Sequence, residues 1–227
     1  MRKLMLPFVT ILATMFLLQG CLKDDDSYSL GKYWVTTGTI EKGDISPYVV
    51  VADNGDRLFP SATAVPHFKT KDGQRVWISY TILGDAEGQI DHYVRVNDLS
   101  EILTKGILEL TPENADSIGH DPVTIRDYWF TGDFLTIRFI YGGGGRIHFI
   151  NLVQDVENPV NEEGLPILEF RHNRNNDPYN YKMYGTVSFN LETLKTEEQD
   201  EVQFVLKAKS SGDRDDFEKV LTFKYDH

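Results

Sequence analysis

An all-β protein of two domains is predicted by three features of the sequence. No segment sustains the 3.6-residue apolar period of a helix. Short runs instead alternate apolar with polar residues or concentrate β-branched and aromatic ones. Turn signals rich in Gly, Asn, Asp and Pro separate these runs, and one long polar stretch divides them into two groups. A chain of 227 residues accommodates two domains of about 80–120 residues each.

The chain opens with a short positive segment, Met1-Arg2-Lys3, and an apolar run from Leu4 to Leu18. That run is shorter than the roughly 20 residues needed to span a bilayer. A positive start, a short apolar core and a small residue, Gly20, make residues 1–20 a secretory signal peptide. Cys21 follows at once, and "LLQGC" resembles a bacterial lipobox. The resemblance implies a lipid on the sulfur and cleavage before Cys21. Each buried CH₂ contributes about 0.8 kcal/mol, so two or three acyl chains would hold the protein on a membrane. Cys21 is the chain's one cysteine; once modified it leaves no thiol, and the mature fold must stand without disulfides.

Residues 21–30 are polar and acidic without periodicity and read as a tether. The first domain, residues 31–104, begins with "KYWVTTGTI" (Lys32–Ile40). "YVVVA" (Tyr48–Ala52) and "RLFP" (Arg57–Pro60) flank Asn54-Gly55, a hairpin signal because tight hairpin turns need positive φ. Pro66 limits "SATAVPHF" to at most one helical turn. "RVWISYTIL" (Arg75–Leu83) and "IDHYVRVNDL" (Ile90–Leu99) flank a second turn, "GDAEG". Five short strands with a break after the third suit an OB-like barrel, with a plain five-stranded barrel as the alternative.

The stretch Glu101–Pro122 is the expected connection between domains. Residues 105–227 then carry seven strand-like runs, Val123–Phe130, Phe134–Tyr141, Arg146–Gln154, Pro166–His172, Lys182–Leu191, Glu201–Lys209 and Lys219–Asp226. Seven alternating strands in this length suggest an Ig-like β-sandwich.

Without residues 1–20, which contain Arg2 and Lys3 but no acid, 21 basic residues face 35 acidic ones, a net charge of −14. That excludes a general nucleic-acid binder, which needs a basic face. "YGGGGR" (Tyr141–Arg146) lacks the Lys-Ser/Thr and following helix of a phosphate loop and reads as a glycine-rich hairpin loop. None of the six histidines lies two to four residues from another, so no local metal motif exists. His148 and His172 fall on strands of one sheet region and could converge, with Glu169 as a third group. The Asp- and Asn-rich segments Asp155–Gly164 and Arg174–Asn180 match no Ca²⁺-loop spacing and read as solvated loops. Trp34, Trp77 and Trp129 sit within strand patterns, which favours packing over sugar stacking. "DSI" resembles a short O-glycosylation motif, with Ser117 as acceptor. No catalytic, cofactor-binding or metal residue is assigned, and no Gly-x-Ser-x-Gly motif is present.

Several blocks in order, "YSLGKYWV", "KDGQRVWISYTIL", "VNDLSEILTK", "DSIGHDPVTIRDYW", "HFINLV" and "LEFRHN" followed by "GTVSFNL", resemble the NigD-like lipoproteins of Bacteroidota. The resemblance runs from about Cys21 to the C-terminus. It implies an N-terminal OB-like domain, a C-terminal β-sandwich, and a role in bacteriocin immunity, without a set of catalytic residues. The run Lys23-Asp24-Asp25-Asp26 likewise resembles an export signal for the outer face of the outer membrane. The expected protein is a lipid-anchored, surface-exposed, non-enzymatic binder of an unknown protein or glycan. The expected role is immunity or protection, with glycan capture as the alternative.

Overall fold

The computed structural model describes residues 28–43, 48–212 and 214–225. Five strands, β1 (Trp34–Glu41), β2 (Val49–Ala52), β3 (Arg57–Thr63), β4 (Arg75–Asp85) and β5 (His92–Glu101), close into a barrel in the order β1-β2-β3-β5-β4. The neighbours β3 and β5 run parallel, while β1 and β4 seal the barrel antiparallel. This crossover, absent from an up-and-down meander, decides for the OB arrangement. Asn54-Gly55 turns between β2 and β3 as expected, with Gly55 at φ 97°. Ile40, Val50, Leu58, Ile78, Val94 and Val96 fill the interior, each fully buried. At Gly38 a Cβ would stand 2.7 Å from the Val51 carbonyl oxygen, so the closed wall needs glycine there.

The second domain is a two-layer sandwich. Its strands among the described residues are β6 (Leu103–Lys105), β7 (Ile107–Leu110), β8 (Thr124–Thr131), β9 (Phe134–Gly143), β10 (Phe149–Asp155), β11 (Ile167–Asn173), β12 (Tyr181–Asn190), β13 (Glu201–Ala208) and β14 (Phe217–Lys224). One sheet has the order β14-β13-β11-β10-β7 and the other β6-β12-β9-β8. The seven expected strands are all present. Two short ones, β6 and β7, join from the stretch expected as a connection, together with a helical turn α1 (Ala115–Ile118). Both pair parallel, β6 with β12 and β7 with β10, so each extends a sheet edge rather than forming a hairpin. Leu103 and Thr104, placed with the barrel by the expected boundary, therefore pair in the sandwich. The core is aromatic, with Phe139, Phe170, Phe189, Phe204 and Phe223 packed edge-on or stacked with neighbouring rings. No helix among the described residues is long and apolar enough to cross a membrane.

One residue, the buried Ile102, links the last barrel strand to the first sandwich strand. Along β9, Leu135, Ile137 and Phe139 point into the sandwich core, which leaves Thr136 on the outer face. Thr136 and its cross-strand partner Ser188 are nonetheless fully buried, because Arg75 of the barrel covers them.

Candidate functional site

At the end of the sandwich away from the barrel contact, two connections cross from one sheet to the other. The chain passes from β9 to β10 through Gly144–His148 and from β11 to β12 through Arg174–Asn180. The glycine-rich segment is thus an arch between sheets and not the expected hairpin loop. Strand alternation reports which face a residue occupies but not which strand lies beside it, so the two could not be told apart in the sequence.

Asp177 pins the arches together. Its Oδ2 accepts the backbone N–H groups of Gly144 (2.5 Å), Gly145 (2.9 Å) and Arg146 (3.2 Å), and faces His148 Nε2 at 3.0 Å. Asp177 is only 2% exposed. The Gly144 N–H outweighs burial and, with the other donors, holds the carboxyl well below the usual carboxylate range. Successive N–H groups aimed at one anion form a nest, here occupied by the protein's own carboxylate. Glycine favours the close approach: a Cβ at Gly144 would lie a tight 3.1 Å from Asp177 Oδ1. Asn175 and Asn176 take the left-handed turn conformation that Asn tolerates.

Behind Asp177 lies a pair of stacked histidines. His148 Nδ1 and His172 Nε2 are 2.7 Å apart, with ring centroids separated by 4.9 Å. Because a carboxylate only accepts, His148 donates Nε2–H to Asp177. With both rings uncharged, His172 Nε2–H donates to His148 Nδ1 and His172 Nδ1 is a buried lone pair. That atom has no partner. The convergence of His148 and His172 is as expected, but the third group is Asp177 and not Glu169. Glu169 lies three positions from His172, on the opposite face of β11. It pairs instead with His120 and Arg171, at 2.8 Å each.

The buried pair makes stability depend on pH. Burial first, and the neighbouring His148 second, push the His172 imidazole down to about 4, against 6.5 ordinarily. Between those values the unfolded chain binds the proton and the folded chain does not. The His172 contribution is therefore complete above pH 6.5 and is lost as pH falls toward 4, with a slope of up to about 1.4 kcal/mol per pH unit. In urea titrations across this window, His172→Phe is expected to flatten the slope. A variant profile as steep as that of the parent would refute the assignment.

In front of the arches lies an open cleft of about 340 Å³. Tyr179 forms one wall. A Cβ at Gly142 would stand 1.8 Å from its ring, so glycine lets the ring lie against the β9 backbone. The Arg174 guanidinium sits 4.7 Å from the same ring. Arg126 enters from β8 at a bulge: the register skips it between Ile125 and Asp127, which re-aims its side chain. Lys182 of β12 and Arg214 complete the cationic lining, with Thr124, Asn180 and Ser211 as hydrogen-bonding groups. Tyr181 is 68% exposed, and Tyr184, on the same face as Lys182, is 73% exposed.

The other candidate residues do not join this site. Cys21, Lys23, Asp24, Asp25 and Asp26 lie outside the described residues. Ser117 is exposed on α1 and donates its hydroxyl to the Asn114 carbonyl at 2.8 Å. Trp34 stacks on Tyr80, and Trp129 donates to Asp53 at the barrel contact. Among the described residues no group of three or more His, Cys, Asp or Glu is disposed to hold a metal ion. Asp177 belongs to the loop read as solvated. Its role depends on meeting the glycine segment more than thirty residues earlier, which no local signal announces.

The chain matches the NigD-like N-terminal OB domain over residues 37–102 and the NigD-like C-terminal beta sandwich domain over residues 106–225. It is similar in structure to a Parabacteroides distasonis protein provisionally named toxin-related, at 32% identity and TM-score 0.73, over 86% of this chain and 95% of that one. A Bacteroides caccae NigD-like immunity protein aligns at 20% identity and TM-score 0.66, over 88% and 100%. A Bacteroides fragilis chain provisionally named a lipoprotein aligns at 11% identity and TM-score 0.57, over 86% and 99%. No curated protein matches the chain. With an OB barrel and a β-sandwich both present and both matched, the chain belongs to the NigD-like family.

Proposed function

We propose that this protein is a non-enzymatic recognition protein, held on the outer membrane by lipid at Cys21 and facing the exterior. The crossover end of its sandwich is the contact surface, and protection against a bacteriocin is its role. The observation that carries the reading is the division of polar groups at that end. The acid–base groups Asp177, His148 and His172 are sealed inside as a structural pin. The groups left on the surface are tyrosines, cations and hydroxyls. A general acid or base must reach the proton it transfers, and the hydrogen bonds of these three go to one another and to the backbone, with the Tyr141 ring packed against both imidazoles. The protective role is supported by the descriptions of related structures as toxin-related and as an immunity protein. The export run Lys23–Asp26 supports the outward orientation, and exposed Ser117 is the proposed O-glycan acceptor. Capture of glycans is the second reading, favoured by the exposed tyrosines around the cleft.

Two measurements test the reading. Cys21→Ala is expected to leave the membrane fraction of detergent-free lysates, and retention there would refute the anchor. Deletion in the native host is expected to raise bacteriocin sensitivity with growth on a glycan panel unchanged. The reverse pattern would transfer the assignment to glycan capture.

A further inference from the structure

We propose that the cleft between the arches and β8 binds an anionic saccharide, a sugar ring carrying a carboxylate or a phosphate. The proposal rests on the recognition reading above and names the ligand class of that surface.

Charge is the first argument. Over the whole chain 35 acidic residues outnumber 23 basic ones. The described residues lining the cleft reverse that balance: they include Arg126, Lys182 and Arg214 and not one Asp or Glu. None of the three cations makes an ion pair among the described residues. Arg126 makes no hydrogen bond there either, and it is brought to the cleft by a bulge. Two other arginines of the sandwich are neutralised, Arg138 by Asp127 and Arg174 by Asp121, while exposed Arg146 also makes no ion pair among the described residues. Lys182 lies 5.9 Å from the Tyr184 ring and Arg214 donates to Ser211 at 3.4 Å, contacts that supply no counter-ion, so these cations in a concavity of an acidic protein are groups left for an anion from outside. Guanidinium forks match carboxylate and phosphate oxygens in particular.

Shape is the second argument. A volume of about 340 Å³ lies at the low end of small-ligand sites, which suits one or two ring-sized units and not a folded partner. The Tyr179 ring meets the β9 backbone edge-on at Gly142, carries the Arg174 guanidinium over one face and lines the cleft, with Tyr181 beside it. Thr124, Asn180 and Ser211 supply short polar groups that can both donate and accept. A ring with an apolar face, a rim of hydroxyls and one negative group satisfies all three sets of residues together. A simple inorganic anion leaves the tyrosines unused, and a neutral sugar leaves the cations unused. The buried Asp177 pin fixes the two arches, so the walls are organised before a ligand arrives.

The test is isothermal titration of the full lipidated chain in detergent micelles. The probes are a uronic-acid disaccharide, glucose 6-phosphate, the neutral disaccharide and inorganic phosphate. Binding of either anionic sugar at least tenfold tighter than the neutral disaccharide and phosphate is expected, and the better of the two identifies the anionic group. The double variant Arg126→Gln/Lys182→Gln is expected to weaken that binding at least tenfold without changing the melting temperature, since both side chains are exposed and neither makes an ion pair among the described residues. Tyr179→Ala is expected to weaken sugar binding while leaving any residual phosphate binding unchanged. Equal binding of the neutral disaccharide, no binding of either anionic sugar, or binding untouched by the double variant overturns the proposal. If no anionic sugar binds but the double variant still raises bacteriocin sensitivity in the host, the ligand class fails and the recognition surface stands.

Discussion

Replacing Arg75 by methionine is expected to cost about 3–5 kcal/mol of stability, the range for removing one partner of a buried ion pair. The guanidinium is fully buried at the contact between barrel and sandwich. It reaches Asp53 through two bonds of 2.5 and 2.7 Å. It also donates to Thr39 and Thr136 at 3.1 Å each and to Ser188 at 3.4 Å. Arginine has five N–H donors, and each has an acceptor here, two of them in the other domain. Asp53 in turn accepts from Thr37 and, across the contact, from Trp129 Nε1 at 2.6 Å. Burial alone pushes the Asp53 carboxyl up, but the bonds from Arg75, Thr37 and Trp129 outweigh it, and the net shift is down. Methionine fills the space and supplies no donor, so Asp53 would be left as a desolvated charge with neutral partners only. Removing both charges, as Arg75→Met with Asp53→Leu, is expected to recover part of the loss, because a buried pair is worth little against apolar packing. Urea unfolding of the parent, the single and the double variant checks both statements. A single-variant loss below about 1 kcal/mol would refute the first.

Asp177→Ala is expected to lower the melting temperature by roughly 5–10 °C, since it removes the one acceptor on which four donors converge. The three N–H groups of Gly144, Gly145 and Arg146 and the Nε2–H of His148 all converge on this carboxylate. Asp177→Asn keeps one acceptor oxygen and is expected to lose less. Amide hydrogen exchange localises the effect: protection of Gly144–Arg146 should fall in Asp177→Ala while the β13–β14 hairpin keeps its own. Unchanged protection of the three amides would sink the pinning role. The sign with pH follows from the lowered carboxyl pKa. The contribution is present above the ordinary carboxylate range and is lost as pH falls below about 4, under the window in which His172 acts. Two carboxyl and imidazole effects therefore separate along the pH axis and can be read in one titration series.

Much of the fold was legible because strand signals are local. "PILEFRH" alternates, and β11 buries Leu168, Phe170 and His172 in turn. Asn54-Gly55 marked its hairpin because positive φ is cheap for glycine. The short strands β6 and β7 escaped notice for the same reason in reverse. Leu103–Lys105 and Ile107–Leu110 are too short to show a period, and they exist as strands only because β12 and β10 offer parallel edges. Arg75 read as an ordinary strand residue, since nothing near it in sequence reveals that Asp53, Thr136 and Ser188 will enclose it.

The chain by itself determined the all-β class, the hairpin turns, the absence of disulfides and the lipid-anchor signature. Each depends on residue type and spacing within a few positions. Only the tertiary structure decided that the glycine segment is an arch, that Asp177 and not Glu169 completes the histidine pair, and that Arg126, Lys182 and Tyr179 share a cleft. Those contacts join residues tens of positions apart. They are selected by which apolar faces bury together when the sheets close, and a period of two along a strand carries no record of that choice.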